Sequence, residues 1–236
     1  MLYSTSPPAQ VAAAGDQNTA DAEVNFWIGL KARQMNIDVV QTSSPQPDMQ
    51  VIAFQAEVRS GEPPQKQILY VTEAQVWQKQ GEQWLLLNVK RTGAAHLKQP
   101  INKDKSIYPA DADARAEIKE AEEKAAKEHK RVLIVFGANW CYDCHVLDMA
   151  FHRPDLAPVL AASYEVVHVD IGEGNKNQDL MKEFQVPMQK GIPALAVLES
   201  TGKLVISQKN GEFENARAMT PEALLEFLNK WKPQAR

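Results

Sequence analysis

The sequence predicts two domains: a small α+β domain built on an antiparallel sheet, then an α/β domain whose mixed central sheet has helices on both faces. Two patterns predict this division. Apolar and polar residues alternate between residues 49 and 92, which is typical of an antiparallel sheet with one covered face. From residue 110 onward, helical and strand-like segments alternate instead. A length of 236 residues accommodates one or two domains.

The first domain is predicted to span residues 20–95. Residues 1–19 are expected to be flexible, because the start of the chain is rich in Ala, Ser, Pro, Gln and Asn and lacks periodicity. Residues 96–109 carry two prolines and little periodicity, so they are expected to form a linker. One helix is predicted at 19–34 and four strands follow it, at 36–41, 49–59, 66–78 and 83–92.

The second domain is predicted to span residues 110–236. Its first helix is rich in Ala, Glu and Lys and carries a narrow apolar stripe. The last helix is predicted to begin after Thr220, with Pro221 at its first position. Helices are predicted at 110–130, 145–151, 155–162, 175–184 and from 221, and strands at 132–136, 164–170, 193–198 and 204–207.

The chemistry of the chain is concentrated in its only two cysteines, Cys141 and Cys144, which form one C-x-x-C motif. The apolar, β-branched run at residues 132–136 predicts a buried strand before the motif. A short turn follows at 137–139, and the residues after Cys144 read as a helix. A strand, a tight turn and C-x-x-C on the first turn of a helix are typical of a thiol–disulfide redox site.

The predicted position of Cys141 suits a nucleophile. Unpaired N–H groups and the macrodipole at a helix N-terminus favour an anion, and the thiolate is the reactive form of cysteine. Cys144 lies one helical turn further on, where it can attack a mixed disulfide formed by Cys141. We therefore expect Cys141 to be the nucleophile and Cys144 to resolve the intermediate.

A second feature, Gly191-Ile192-Pro193, opens an apolar strand about fifty residues after the cysteines. Proline there indicates a cis bond or a strand edge. With the strand and Trp-Cys-x-x-Cys, this segment resembles the thioredoxin superfamily over roughly residues 107–232. The resemblance implies that Ile192 and Pro193 bind the extended backbone of a protein substrate. Trp140 and Tyr142, which flank Cys141, are expected to contact the substrate as well.

The first domain also carries a resemblance, through the phrase Val-Trp-Gln-Lys-Gln-Gly-Glu-Gln-Trp at residues 76–84. This phrase resembles the last hairpin of SnoaL-like, cystatin-like α+β domains, in a form that is abbreviated at its helical start. Relatives of that kind use the sheet for ligands, catalysis or dimerisation. A homodimer formed through this sheet is the expectation, and Tyr70, Trp77 and Trp84 are expected in the core or the interface.

The motif departs from the usual thioredoxin pattern at its central dipeptide, which is Tyr142-Asp143. The charge of Asp143 is expected to raise the pKa of the Cys141 thiol. His145, four residues after Cys141, would act in the opposite direction as an imidazolium. Val135 stands where thioredoxins carry a buried acid, which leaves the direction of electron flow open.

Other functions of the motif remain as alternatives. Cys141-Tyr-Asp-Cys144-His145 also matches the C-x-x-C-H pattern of c-type haem attachment, with His145 and a methionine as ligands. Zinc is disfavoured, because two cysteines and one histidine crowd into one turn and no second cluster completes a tetrahedron. An inert structural disulfide is the remaining alternative. No metal site is predicted.

Composition excludes some classes of protein. The net charge is −4, no basic stretch suggests nucleic-acid binding, and no apolar run of about eighteen residues predicts a membrane span. The composition of the N-terminus favours a periplasmic or secreted protein, with the cytoplasm as the alternative.

The sequence therefore predicts a thiol–disulfide oxidoreductase. No organic cofactor is implied, because the disulfide itself carries two electrons. The expected partners are protein thiol or disulfide substrates and a redox partner protein. The alternative is a non-catalytic binding or assembly protein that uses the second domain as a scaffold and the first to dimerise or hold a ligand.

Overall fold

The computed structural model describes residues 3–5, 7–61, 66–100 and 106–234. It divides into two compact units, Met1–His96 and Leu97–Arg236. Each unit contains one sheet, with strands in the orders β2-β1-β6-β5-β4-β3 and β10-β9-β7-β8. Among the described residues, no helix is both long enough and apolar enough to cross a membrane.

In its described residues, the first unit combines one helix with a six-stranded sheet. Its elements are β1 (Gln10–Ala13), β2 (Asp16–Asn18), α1 (Ala20–Gly29), β3 (Ala32–Ser43), β4 (Met49–Ser60), β5 (Gln67–Gln80) and β6 (Gln83–Arg91). Strands β3 to β6 form an antiparallel meander, as the alternating pattern predicts. Strand β1 differs, because it pairs parallel to β6, so the sheet as a whole is mixed.

Two expectations about segment boundaries need correction. Residues 10–18 were expected to be flexible but form β1 and β2, whose backbone groups find partners in the sheet. The expected linker at 96–109 contains Leu97 and Tyr108, which are fully buried in the core of the second unit. Both segments are held by partners distant in sequence, which local periodicity does not reveal. Residues 1, 2, 6 and 101–105 within these two segments lie outside the described residues.

The second unit places helices on both faces of a four-stranded mixed sheet, which confirms the predicted fold class. Its elements are α2 (Ala114–Glu128), β7 (Arg131–Gly137), α3 (Tyr142–Phe151), α4 (Ala157–Ser163), β8 (Tyr164–Asp170), α5 (Gln178–Glu183), β9 (Ala194–Leu198), β10 (Leu204–Ser207) and α6 (Pro221–Trp231). Strand β7 is central, pairing parallel with β8 and antiparallel with β9.

Alternation along β7 divides the core of this unit into two layers. Leu133 and Val135 pack with residues of α3, α4 and α6, whereas Ile134 and Phe136 pack with α2 and α5. All four side chains are buried. Because both faces are covered, β7 is apolar from Val132 to Phe136, and its C-terminal end is a rigid base for the turn that follows.

Candidate redox site

The turn after β7 is fixed by Asn139. Its side-chain oxygen accepts hydrogen bonds from the backbone N–H groups of Ile107 (2.8 Å) and Tyr108 (2.9 Å), and its Nδ2 donates to the Tyr108 carbonyl. Tyr108 also packs over Gly137, where a Cβ atom would lie 2.3 Å from its ring. The segment before α2 is thereby attached to the turn that presents the cysteines.

Cys141 is the N-cap of α3, and its sulfur accepts a hydrogen bond from the Cys144 N–H at 3.2 Å. The two cysteines form a disulfide with a Cα–Cα distance of 5.3 Å. Cys141 is 5% exposed and Cys144 1% exposed, so Cys144 lies deeper. The same N–H group and the helix N-terminus would stabilise a thiolate at Cys141 once the disulfide is reduced.

The loop before β9 faces this sulfur. The Cys141 Sγ lies 3.7 Å from the carbonyl oxygen of Ile192, and the Ile192–Pro193 peptide bond is cis. Pro193 is buried and Ile192 half-buried. The structure therefore brings the two segments that the sequence singled out, about fifty residues apart, to one place.

Trp140 and Tyr142 border the disulfide differently. Trp140 is exposed, and its Nε1–H donates to the Gly172 carbonyl at 2.9 Å, which holds the ring at the surface. Tyr142 is half-buried, and its hydroxyl donates to Gln99 Oε1 at 2.9 Å. Burial raises the pKa of Tyr142, so its hydroxyl remains a neutral donor at physiological pH.

Asp143 is buried and bound by Arg217, which the 3₁₀ helix Ala216–Ala218 carries. The Arg217 backbone N–H donates to Oδ1 at 2.9 Å, and its Nε donates to Oδ1 at 3.0 Å and to Oδ2 at 3.2 Å. Its Nη2 also donates to Oδ2. The hydrogen bonds to the Asp143 carboxylate raise the pKa of Arg217 further above its ordinary value, so the guanidinium remains charged. The Asp143 charge is therefore compensated rather than directed at Cys141 alone.

His145 is buried on the first turns of α3, and its Nε2 lies 2.7 Å from the Asn139 carbonyl oxygen. A carbonyl can only accept, so Nε2 carries the proton in this contact. The ring is thus committed to the turn before the motif, which is not the orientation that a haem ligand needs. Among the described residues, no group of three or more His, Cys, Asp or Glu side chains is arranged to hold a metal ion.

Comparison with known proteins agrees with this geometry. A sequence family described as thioredoxin-like matches residues 113–200. The crystal structure of a disulphide isomerase from Xylella fastidiosa is 37% identical, with a TM-score of 0.51, and the match covers 54% of this chain and 97% of that one. The chain belongs to the thioredoxin-like family.

Two further solved structures are similar to parts of this thioredoxin-like chain. A thioredoxin from Thermus thermophilus is 19% identical over 52% of this chain and 83% of its own length, with a TM-score of 0.37. An NTF2-like protein of unknown function from Prochlorococcus marinus is 14% identical over 36% of this chain and 69% of its own, with a TM-score of 0.31. The NTF2-like similarity falls at the N-terminal part of the chain.

Three residues of the thioredoxin-like site were missed from the sequence: Gln99, Asn139 and Arg217. Asn139 stands next to Trp140, and an asparagine in a turn before a motif is a usable local signal. Gln99 and Arg217 are 43 and 74 residues from their partners Tyr142 and Asp143. No local pattern marks either of them, because their function in the site depends on the fold.

Proposed function

We propose that the chain is a thiol–disulfide oxidoreductase that exchanges the Cys141–Cys144 dithiol and disulfide with protein substrates. The observation that carries this proposal is the N-cap geometry of Cys141, whose sulfur accepts the Cys144 N–H at 3.2 Å. A structural disulfide does not need its outer sulfur at a helix N-terminus, whereas a nucleophilic thiolate gains stability there.

The proposed reaction transfers two electrons between disulfides. In the reducing direction, the Cys141 thiolate attacks one sulfur of a substrate disulfide, forming a mixed disulfide and releasing the other substrate sulfur as a thiolate. Cys144 then loses its proton to solvent or base and attacks the Cys141 sulfur. This forms the Cys141–Cys144 disulfide and releases the second substrate thiolate. The released thiolates take up protons, and the reverse sequence oxidises a substrate dithiol.

Substrate docking is proposed along the loop that contains Ile192 and Pro193. The Ile192 carbonyl, 3.7 Å from the Cys141 sulfur, is placed to accept a backbone N–H from an extended substrate segment. The exposed ring of Trp140 offers apolar contact on the other side of the disulfide. We also propose that the protein acts in the periplasm or outside the cell, as expected from the sequence.

The test uses the full chain equilibrated across a series of glutathione ratios, with free thiols alkylated and counted by mass. The chain contains two cysteines, so wild type should show zero or two labels and a reversible two-electron couple. Cys141→Ser should reduce turnover of a disulfide-bonded protein substrate to the uncatalysed background. Cys144→Ser should accumulate a mixed disulfide on Cys141. The proposal would be contradicted if the cysteine pair does not cycle between its reduced and oxidised forms. It would also be contradicted if Cys141→Ser and Cys144→Ser lose turnover equally and Cys144→Ser traps no mixed disulfide.

A second candidate, an assembly role, is favoured by the exposure of β3. All twelve residues of this strand are exposed, including Ile37 and Val39. If assembly is the main activity, Cys141→Ser should leave it intact while abolishing disulfide exchange.

A further inference from the structure

Asp143, the charged residue between the two cysteines, is paired with a cation. It is buried two residues after Cys141 and receives hydrogen bonds from both the backbone and the guanidinium of Arg217. Arg217 comes from a separate element, the 3₁₀ helix Ala216–Ala218, which packs on α3. Its Cζ also lies 4.8 Å from the centre of the Tyr142 ring.

The two charges act on Cys141 with opposite signs. A carboxylate close to a thiolate raises the free energy of the charged sulfur, whereas a nearby cation lowers it. Asp143 has lost most of its contact with water, so Arg217 is the main group that balances it. The Arg217 side chain is 54% exposed, so it can be removed without opening a cavity in the core.

We propose, resting on the function above, that Arg217 is a positioning residue that sets the thiolate content of Cys141, and thereby the redox equilibrium of the pair, through Asp143. Arg217 neutralises the acid that the motif carries and holds it in a fixed place. The substrate reacts with the sulfurs only, and Arg217 touches none of the reacting atoms.

Other charged groups surround the loop and helix that form the site, and they remain unchanged in the test. Asp148 and His145 lie on α3 itself. Lys190 precedes Gly191. The Glu214 carboxylate packs against Gly191, and a Cβ atom added to Gly191 would lie 2.7 Å from Glu214 Oε2. Because every variant retains these groups, differences between the variants measure the effect of the Asp143 and Arg217 charges.

The experiment measures the rate of Cys141 alkylation against pH in a Cys144→Ser background, together with the glutathione equilibrium of the intact pair. Arg217→Gln should lower the thiolate fraction of Cys141 at a given pH by about three- to tenfold, because Arg217 is half-exposed and water screens most of its field at the sulfur. The glutathione equilibrium should shift toward the disulfide, because the reduced form loses stabilisation. Asp143→Asn should shift both readouts in the opposite direction.

Two variants complete the design. The double variant Arg217→Gln with Asp143→Asn should return close to wild type, since both charges are gone. Arg217→Lys should restore most of the thiolate fraction, because the charge remains. The matched control is Arg115→Gln on α2, whose side chain is 57% exposed and paired with Asp179 and Glu183, and it should change neither readout.

The outcomes separate this inference from the proposed function. If wild type exchanges with glutathione but the alkylation profiles of all variants overlap, Arg217 is only structural and the inference is overturned. Shifts of the same sign in Arg217→Gln and Asp143→Asn also overturn it. Failure of wild type to exchange overturns the proposed function, while the alkylation profiles still decide the inference. If Arg217→Gln does not fold, the double variant decides the inference, because its thiolate fraction should be lower than that of Asp143→Asn alone.

Discussion

Three buried charged residues of the first unit meet where α1 packs on the sheet. Glu23, Glu73 and Arg91 are all buried, and Arg91 Nε donates to Glu23 Oε1 at 2.7 Å. Trp27 Nε1 lies within hydrogen-bond distance of both carboxylates, 2.9 Å from Glu23 Oε1 and 3.1 Å from Glu73 Oε2. Phe26 covers the Arg91 guanidinium, 3.4 Å from its ring centre. One cation therefore serves two carboxylates at this position.

We predict that Glu73 makes the stability of the first unit depend on pH. Burial raises the pKa of Glu73 above its ordinary value of 4.5, and the Glu23 charge adds to the rise. The folded form therefore holds this proton more tightly than the unfolded form. That contribution to stability is fully present below pH 4.5 and is lost as pH rises through the folded pKa.

Urea unfolding followed by tryptophan fluorescence should detect this in Glu73→Gln. At low pH the variant should be less stable by about 1 kcal/mol, because it loses one accepted hydrogen bond. Toward neutral pH the deficit should shrink or reverse, because glutamine carries no charge to bury. Glu82→Gln, on the exposed β5–β6 hairpin, should show a constant difference. A Glu73→Gln deficit that grows with pH would contradict the assignment.

Sequence reasoning recovered the residues whose signal is local. The cysteine pair, Trp140 and Gly-Ile-Pro stand out within a few positions, and the structure places them together. It proposed no acid–base pair in the first domain, whereas Glu23 and Glu73 meet across 50 residues of chain only after α1 packs on β5. Polar contacts of this kind depend on tertiary packing, so the chain alone does not reveal them.

At the scale of elements, the loop before β9 is held by glycines. Gly191 has φ +82° and ψ 177°, a region that is essentially restricted to glycine. A Cβ there would lie 2.7 Å from Glu214 Oε2, and a Cβ at Gly211 would lie 2.7 Å from the Lys190 carbonyl oxygen. Two segments of backbone therefore approach closely just before Ile192 and Pro193, and this contact positions the loop against Cys141.

Gly191→Ala should impair both stability and exchange. The backbone conformation alone costs about 1–3 kcal/mol for a residue with a Cβ, and the contact with Glu214 adds to it. We expect a lower melting temperature and a slower reaction with a disulfide-bonded protein, while Cys141 alkylation at high pH changes little. The control is Gly81→Ala in the β5–β6 hairpin, where φ is +62° and no atom lies within 4 Å of the added Cβ. If both variants slow exchange equally, the loop does not position the site.

Periodicity predicted most of the elements and missed β1 and β2. Strand β8 spans Tyr164–Asp170, as the sequence indicates, and the long antiparallel strands differ from prediction by a few residues at their ends. The predicted helix at 19–34 ends earlier, at Gly29, because Lys31 adopts a left-handed conformation and β3 begins at Ala32. Strands β1 and β2 have the sequences QVAA and DQN, which show neither an alternating pattern nor a long apolar run.

At the scale of the whole molecule, each unit has its own core, and the first unit leaves part of one sheet face uncovered. On β4, Val58 and Ala56 are fully buried on this face. Their partners on β3, Met35 and Ile37, are exposed. Helix α1 contacts this face at Phe54 through Trp27 and does not extend its cover to β3. The apolar surface of the sheet therefore continues onto an exposed edge strand.

We predict that this surface associates with a second copy of the chain, because a twofold dimer needs only one self-complementary patch. Ile37 is 54% exposed and Val39 59% exposed, and burying both removes apolar area worth a few kcal/mol at about 25 cal/mol per Å². In sedimentation velocity, wild type should shift from monomer to dimer as concentration rises, and Val39→Lys should weaken the dimer by at least about tenfold.

The control variant is Ile28→Lys, at an exposed apolar position on α1, which should leave the dimer unchanged. A wild-type monomer at all concentrations, or equal effects of the two lysines, would exclude β3 as the interface. Because Cys141 lies in the other unit, Val39→Lys should retain the disulfide exchange of wild type, which separates assembly from redox activity in one protein.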